Sequence, residues 1–287
     1  MGLSENPFHH VDVLASLIGE RNSRRPTAIE AAAAYIKRYL TDAGYAVAEQ
    51  PYPVSSRVAM NLEVTLIGLK PELPELVVGA HYDSAVGTPG ADDNASAVAA
   101  LLEIARELAD WKPRRTVRFV FFDTEEMPHF MLNEMGSQHH AALCRREGRR
   151  LRGMICLESL GYFSPPQPTG GAPRWATRML KPFGGRYVVL VSNLRSATFC
   201  LAFSWALFRS GWWRTLTLAL PARIGLIHLS DHRGYWEQGY RAAMVTDTAL
   251  LRNPNYHQPT DLPDTIDLDR LAKLTNALVG AVRRLAD

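Results

Sequence analysis

Only three cysteines, Cys144, Cys156 and Cys200, occur among the 287 residues of this chain. They are odd in number, far apart and form no CxxC pair, which excludes a disulfide framework. Long hydrophobic runs are missing too. The most apolar stretch, Phe199 to Leu220, is interrupted by Arg209 and Arg214 before it reaches spanning length, so no transmembrane segment is expected. Its Trp205, Trp212 and Trp213 are expected to pack a core or line a pocket. The N-terminus shows no basic segment followed by an apolar one, so no signal peptide is expected. A cytoplasmic location follows for the chain as written, and a secreted or periplasmic one if a leader was trimmed. Arginines occur as scattered pairs among acids, without a stripe interleaved with aromatics, which speaks against a nucleic-acid surface. Neither nucleic acid nor membrane is expected as a partner.

What is present is globular. A hydrophobic fraction of 47% and a charged fraction of 21% argue against disorder, and the net charge of +3 is mild. The length suits one large α/β domain spanning 1–287. Short β-branched or aromatic runs read as strands over 58–69, 76–80, 117–122, 154–157, 187–191 and 242–245, most of them buried on both faces. Helical patterns fall at 28–43, 95–108, 136–146, 196–208 and 269–285. The alternation predicts a three-layer α/β sandwich with a mostly parallel, mixed central sheet flanked by helices. Two irregular stretches, 162–185 and 253–264, are expected to wall a site.

Metal-binding side chains end several of the strand runs. His81-Tyr82-Asp83 follows Ala80, Glu125-Glu126 lies just past Phe122, Glu158 follows Leu157, and Tyr256-His257 sits in the loop after Val245. Asp92-Asp93-Asn94 precedes a helix. In open α/β sheets, ligands bind outside the carboxyl ends of the strands, so these segments converge on one edge. Carboxylate oxygens mixed with imidazole nitrogens suit a zinc hydrolysis site. Taken singly, each has a plainer reading: Asp92-Asp93 as a helix cap, Glu125-Glu126 as first-turn acids, His257 as a surface histidine. His139-His140 and His9-His10 are assigned to such plain roles, and none is assigned to His129.

Longer motifs surround these residues: Gly79-Ala80-His81-Tyr82-Asp83-Ser84, Pro89-Gly90-Ala91-Asp92-Asp93-Asn94, Phe121-Phe122-Asp123-Thr124-Glu125-Glu126, Ser230-Asp231-His232 and Asn255-Tyr256-His257-Gln258-Pro259-Thr260-Asp261. In this order they resemble the co-catalytic two-zinc exopeptidases, the family of bacterial aminopeptidase S and aminopeptidase Y. The resemblance runs from about residue 30 to the end. It implies two zinc ions and peptide substrates with a free N-terminus. Asp93 would bridge the ions, with His81 and Glu158 completing one ligand set and Glu126 and His257 the other. Glu125 would be the general base, Asp83 the partner that orients His81, and Tyr256 a donor to the oxyanion, with Asp231 supporting from behind. Many relatives carry aspartate at the position of Glu158. Glutaminyl cyclases, distant one-zinc relatives that lack a counterpart of His81, provide the rival reading, and a non-catalytic binding module provides another.

Overall fold

The β-branched and aromatic runs assemble into one eight-stranded sheet. The structure, a computed structural model, describes residues 7–167 and 174–287. Its strands are β1 Ala48–Pro53, β2 Val58–Leu66, β3 Glu75–His81, β4 Val117–Phe122, β5 Leu151–Glu158, β6 Val188–Asn193, β7 Thr215–Leu220 and β8 Ala242–Thr246, in the spatial order β1-β2-β4-β3-β5-β8-β6-β7. Neighbours β4-β3, β3-β5, β5-β8 and β6-β7 run parallel, whereas β1-β2, β2-β4 and β8-β6 are antiparallel. The sheet is therefore mixed, with a parallel centre, as expected.

Period-two alternation along the strands feeds two cores. Leu76, Val78, Ala80, Phe119, Phe121, Ile155, Leu157, Val188, Leu190, Ala243 and Val245 face one side. There they meet α1 Pro7–Asp12, α2 Pro26–Asp42, α3 Ala97–Leu108, α7 Ala197–Arg209 and α9 Leu268–Ala286. Val77, Val120, Phe122, Met154, Cys156, Val189, Val191, Ala242 and Met244 face the other, against α5 Gly136–Arg146 and α8 His232–Glu237. The short helices α4 His129–Leu132 and α6 Arg174–Leu180 lie in connections. Strand residues buried on both faces explain why these runs lack a polar alternation.

Some expectations change. The stretch 162–185 is not irregular throughout: α6 and a 3₁₀ turn, Lys181–Phe183, occupy its second half, and residues 168–173 lie outside the described part. The strand read over 58–69 stops at Leu66. Trp212 is buried as expected; Trp205 and Trp213, 61% and 65% exposed, take the other expected role and line surface pockets.

A buried polar network ties the second helical layer to the sheet. His140 of α5 bonds Glu63 of β2 through Nε2 at 2.8 Å and the Tyr235 hydroxyl of α8 through Nδ1 at 2.6 Å. Arg118 of β4 pairs with the other Glu63 oxygen. Burial alone pushes the imidazole down, but bonds to Cys144 and Glu63 outweigh it and lift His140 to about 9, while Glu63 is held well below the usual range. An unfolded histidine ionises near 6.5. The stability contributed by this raised group is therefore complete below about pH 6.5 and lost as pH rises through about 9. Urea unfolding across pH 6–10 should show that decline, and His140→Gln should flatten it.

Candidate functional site

Four parallel neighbours, in the order β4-β3-β5-β8, bring their carboxyl ends to one sheet edge. β3 ends on His81 and β5 on Glu158, while the chain leaving β4 carries Glu125 and Glu126. The loop beyond β8 delivers Tyr256 and His257. Asp93 arrives from a π-helical turn, Ala91–Ser96, whose backbone leaves helical space at Asp93 (φ −107°, ψ 92°). All of these side chains are buried except those of Tyr256 and His257, which are half-buried.

Asp93 sits between two imidazoles. Its Oδ1 lies 3.4 Å from His81 Nε2 and its Oδ2 lies 3.0 Å from His257 Nε2. Glu158 Oε2 approaches His81 Nε2 at 3.3 Å, and Glu126 Oε1 approaches His257 Nε2 at 3.3 Å. Two donor triads result, His81/Asp93/Glu158 and Asp93/Glu126/His257, each able to converge on one cation. Buried His81 Nε2, Asp93 Oδ1 and Glu126 Oε1 have no hydrogen-bond partner, a costly arrangement unless a metal satisfies them. The donor set, nitrogen and oxygen without sulfur, fits zinc.

Surrounding groups hold the triads in place. His81 Nδ1 lies 3.2 Å from Asp83 Oδ1, the carboxylate–imidazole contact that orients a ligand histidine. The same Asp83 carboxylate accepts hydrogen bonds from the backbone N–H of Glu125 (3.1 Å) and Glu126 (3.0 Å), so one side chain sets three site residues. Glu158 accepts from the hydroxyls of Ser230 (2.6 Å) and Ser159 (3.1 Å). Asp261 accepts from the N–H of Asp92 and Asp93, fixing the turn that presents Asp93. Thr124, Ser159 and His257 adopt left-handed backbone conformations (φ 59°, 45° and 57°), local strain of the kind that collects at functional sites.

Glu125 belongs to neither triad, yet its Oε2 is 3.8 Å from His81 Nε2. Burial pushes its carboxyl well up; His81 works against this, and the charges of Glu126 and Glu158 add to it. Glu126 rises to about 7, from burial and then the Asp93 charge. The ring of Tyr256 stacks on His257 at 3.9 Å, and burial beside Asp93 and Glu126 keeps its phenol protonated well beyond the usual range. Glu158 and Tyr256 also border an apolar cavity of ≈ 120 Å³ lined by Val189, Val191, Leu218, Leu220, Ile227 and Met244, among others.

The plainer readings fail for the central segments. Asp92 caps no helix, because its carboxylate accepts from Gly161 N–H and Asn253 instead. No helix begins at Glu125 or Glu126. They hold for His10, which bonds Tyr35 and Glu103, and for His139, which stacks on Tyr52; His129, assigned no role, links Ser23 to Glu134. Asp231 is fully buried beside Ser230, and burial lifts its carboxyl to about 7.

Arg21 escaped the sequence reading. Fully buried, it donates to the carbonyls of Tyr82, Pro89 and Gly90, bracing the segment between His81 and Asp93, and to Leu14 and Gly19 of its own segment. Its backbone exchanges hydrogen bonds with Ser84. No local pattern marks it; only a charged residue in an otherwise unremarkable N-terminal stretch hints at such a clamp.

Residues 61–182 match the profile of Peptidase family M28. The chain is 33% identical over 277 residues to the uncharacterized protein YfbL of Escherichia coli (strain K12), covering 94% of this chain and 84% of that one. It is 27% identical over 246 residues to leucine aminopeptidase 1 of Trichophyton equinum, covering 80% of this chain and 58% of that relative. Among solved structures, a zinc aminopeptidase from Bacillus subtilis superposes with a TM-score of 0.75 at 16% identity, covering 96% and 94% of the two chains. A Bacteroides thetaiotaomicron glutaminyl cyclase superposes with a TM-score of 0.72 at 19% identity, covering 99% and 98%. Both likenesses concern the fold.

Replacing Arg21 tests the clamp. Arg21→Met strands several buried carbonyls and should cost upwards of about 3 kcal/mol, at roughly 1–3 kcal/mol per unsatisfied group. Arg21→Lys, which keeps the charge but loses the fork, should cost less. Denaturant unfolding of the three proteins gives the ranking.

Proposed function

The chain belongs to peptidase family M28, and on that premise we propose that it is a zinc-dependent aminopeptidase removing the N-terminal residue of peptides. The observation that supports this most is Asp93, whose two oxygens each face the imidazole of a separate donor triad. On this reading His81, Asp93 and Glu158 would hold one zinc ion, and Asp93, Glu126 and His257 would hold a second. Bound zinc supplies Lewis-acid polarisation of a carbonyl and lowers the pKa of water.

The remaining chemistry belongs to the chain. Glu125, close to His81 but outside both triads, takes the proton of the attacking water; burial makes its carboxylate a stronger base than an exposed glutamate. It then returns that proton to the departing amine. Tyr256, held protonated, donates to the oxyanion. Asp83 keeps His81 and the Glu125-Glu126 backbone in register throughout. The free α-amine of the peptide is drawn to the acids around the site, and the apolar cavity beside Glu158 and Tyr256 takes a bulky apolar side chain.

The similarity of fold to a glutaminyl cyclase keeps a second reading in play, cyclisation of N-terminal glutamine by a one-zinc enzyme. His81, poised with Glu158 to hold a second ion, favours the peptidase.

Glu125→Gln should bind zinc like the parent while kcat/KM on an aminoacyl-anilide falls by about 10²–10⁴-fold. Near-normal turnover would refute its role. Leucyl substrates should exceed alanyl ones by about 10–200-fold, the range that added methylenes command in an apolar pocket. Cyclisation of glutaminyl peptides without hydrolysis, at one zinc per chain, would sink the peptidase reading.

A further inference from the structure

Helix α7 is apolar on both sides, although only one side is covered. Phe199, Cys200, Phe203, Ala206 and Leu207 pack into the core. Leu201, Trp205 and Phe208, spaced to share one stripe, stand 59%, 61% and 52% exposed. The stripe continues past the helix. Trp213 is 65% exposed, and it borders the same shallow depression as Leu201, Trp205 and Phe208. Single exposed apolar side chains need no explanation, but a contiguous aromatic patch marks a surface that meets something.

Charge indicates what it meets. Between Ser159 and Ser230 the sequence holds no aspartate or glutamate, while Arg174, Arg178, Lys181, Arg186, Arg195, Arg209, Arg214 and Arg223 fall within it. Beside the patch, Arg186, Arg214, Arg270 and Lys273 line a cavity of ≈ 440 Å³ together with Trp212 and Trp213. Arg270 is paired with Asp267 at 2.6 Å, but Arg186, Arg214 and Lys273 have no ion-pair partner among the described residues. The guanidinium of Arg214 lies 4.1 Å from the centre of the Trp213 ring, and that of Arg209 lies 5.9 Å from Trp205.

We propose that this face, formed by the outer side of α7, the loop to β7 and the adjoining turn of α9, is a peripheral docking surface for a lipid bilayer carrying anionic headgroups. Tryptophan rings settle at the headgroup level of a membrane, and unpaired arginines and lysines beside them meet lipid phosphates. A second copy would bring arginine against arginine across the contact, which disfavours self-association. The expectation that no membrane is a partner rested on the lack of a spanning segment. Indeed, no described helix is long and apolar enough to cross. A surface contact needs no span.

Co-sedimentation of the full chain with vesicles tests this. Vesicles of phosphatidylcholine with about one third phosphatidylglycerol should pellet the protein, and phosphatidylcholine alone should not. Raised salt should release it, and binding should shift the tryptophan emission to the blue. Trp205→Ser with Trp213→Ser, and separately Arg214→Glu with Lys273→Glu, should each weaken binding by roughly tenfold or more. Both pairs lie on the surface, so thermal unfolding midpoints should be unchanged. Equal pelleting on both vesicle types, or binding that neither pair weakens, would overturn the proposal. So would a dimer in sedimentation equilibrium that Trp205→Ser dissolves, because it would assign the face to a second copy.

Discussion

Like charges crowded where water is excluded are the constraint around which the rest of this molecule is arranged. Asp83, Asp93, Glu125, Glu126 and Glu158 all lie buried at one sheet edge. Taking ionised groups out of water costs several kcal/mol each, and their mutual repulsion is amplified in the low-dielectric interior. Opposing charge and hydrogen bonds make the cluster tolerable. His81 and His257 interleave with the acids, and Ser230, Ser159 and the N–H groups of Glu125 and Glu126 donate to them. A rigid parallel sheet keeps these partners from drifting, because the acids sit at or just past strand ends, or, for Asp93, on a turn fixed by Asp261.

The outer ring of the site is less obvious and equally necessary. Arg21 reaches in from the N-terminal segment and Asp261 from the C-terminal part, and between them they fix both ends of the stretch leading to Asp93. Residues far apart in sequence thus define one short turn. That is also where Asp93 takes up its non-helical backbone.

Much of this is legible in the sequence because its physics is local. Val117 to Phe122 and Gly136 to Arg146 carry patterns that leave little choice, and they fold as read. The ligand candidates could be gathered because a strand end locates a side chain without any knowledge of the tertiary fold. β1, with two prolines in six residues, gives a weak strand signal, and β7, although it alternates threonine with leucine, is masked by the apolar stretch Phe199 to Leu220 that contains it. α1 and α8, six residues each, are too short to show a period. Arg21 stayed hidden because its role depends on carbonyls more than sixty residues away. For Trp205 and Trp213 the pattern left core and pocket wall both open, because an apolar helix and the loop after it look the same whether or not anything covers their outer side; they line surface pockets.

Sharing one carboxylate between two triads has a thermodynamic consequence. On the two-ion reading proposed above, an ion held by His81 and Glu158 would draw on the electron density of Asp93 and so change what His257 and Glu126 can hold. The linkage is reciprocal: a cation in either place alters affinity for the other by the same factor. On the two-ion reading the two halves of the site would therefore fill and empty as a coupled system, and a change confined to Glu158 would be felt at His257.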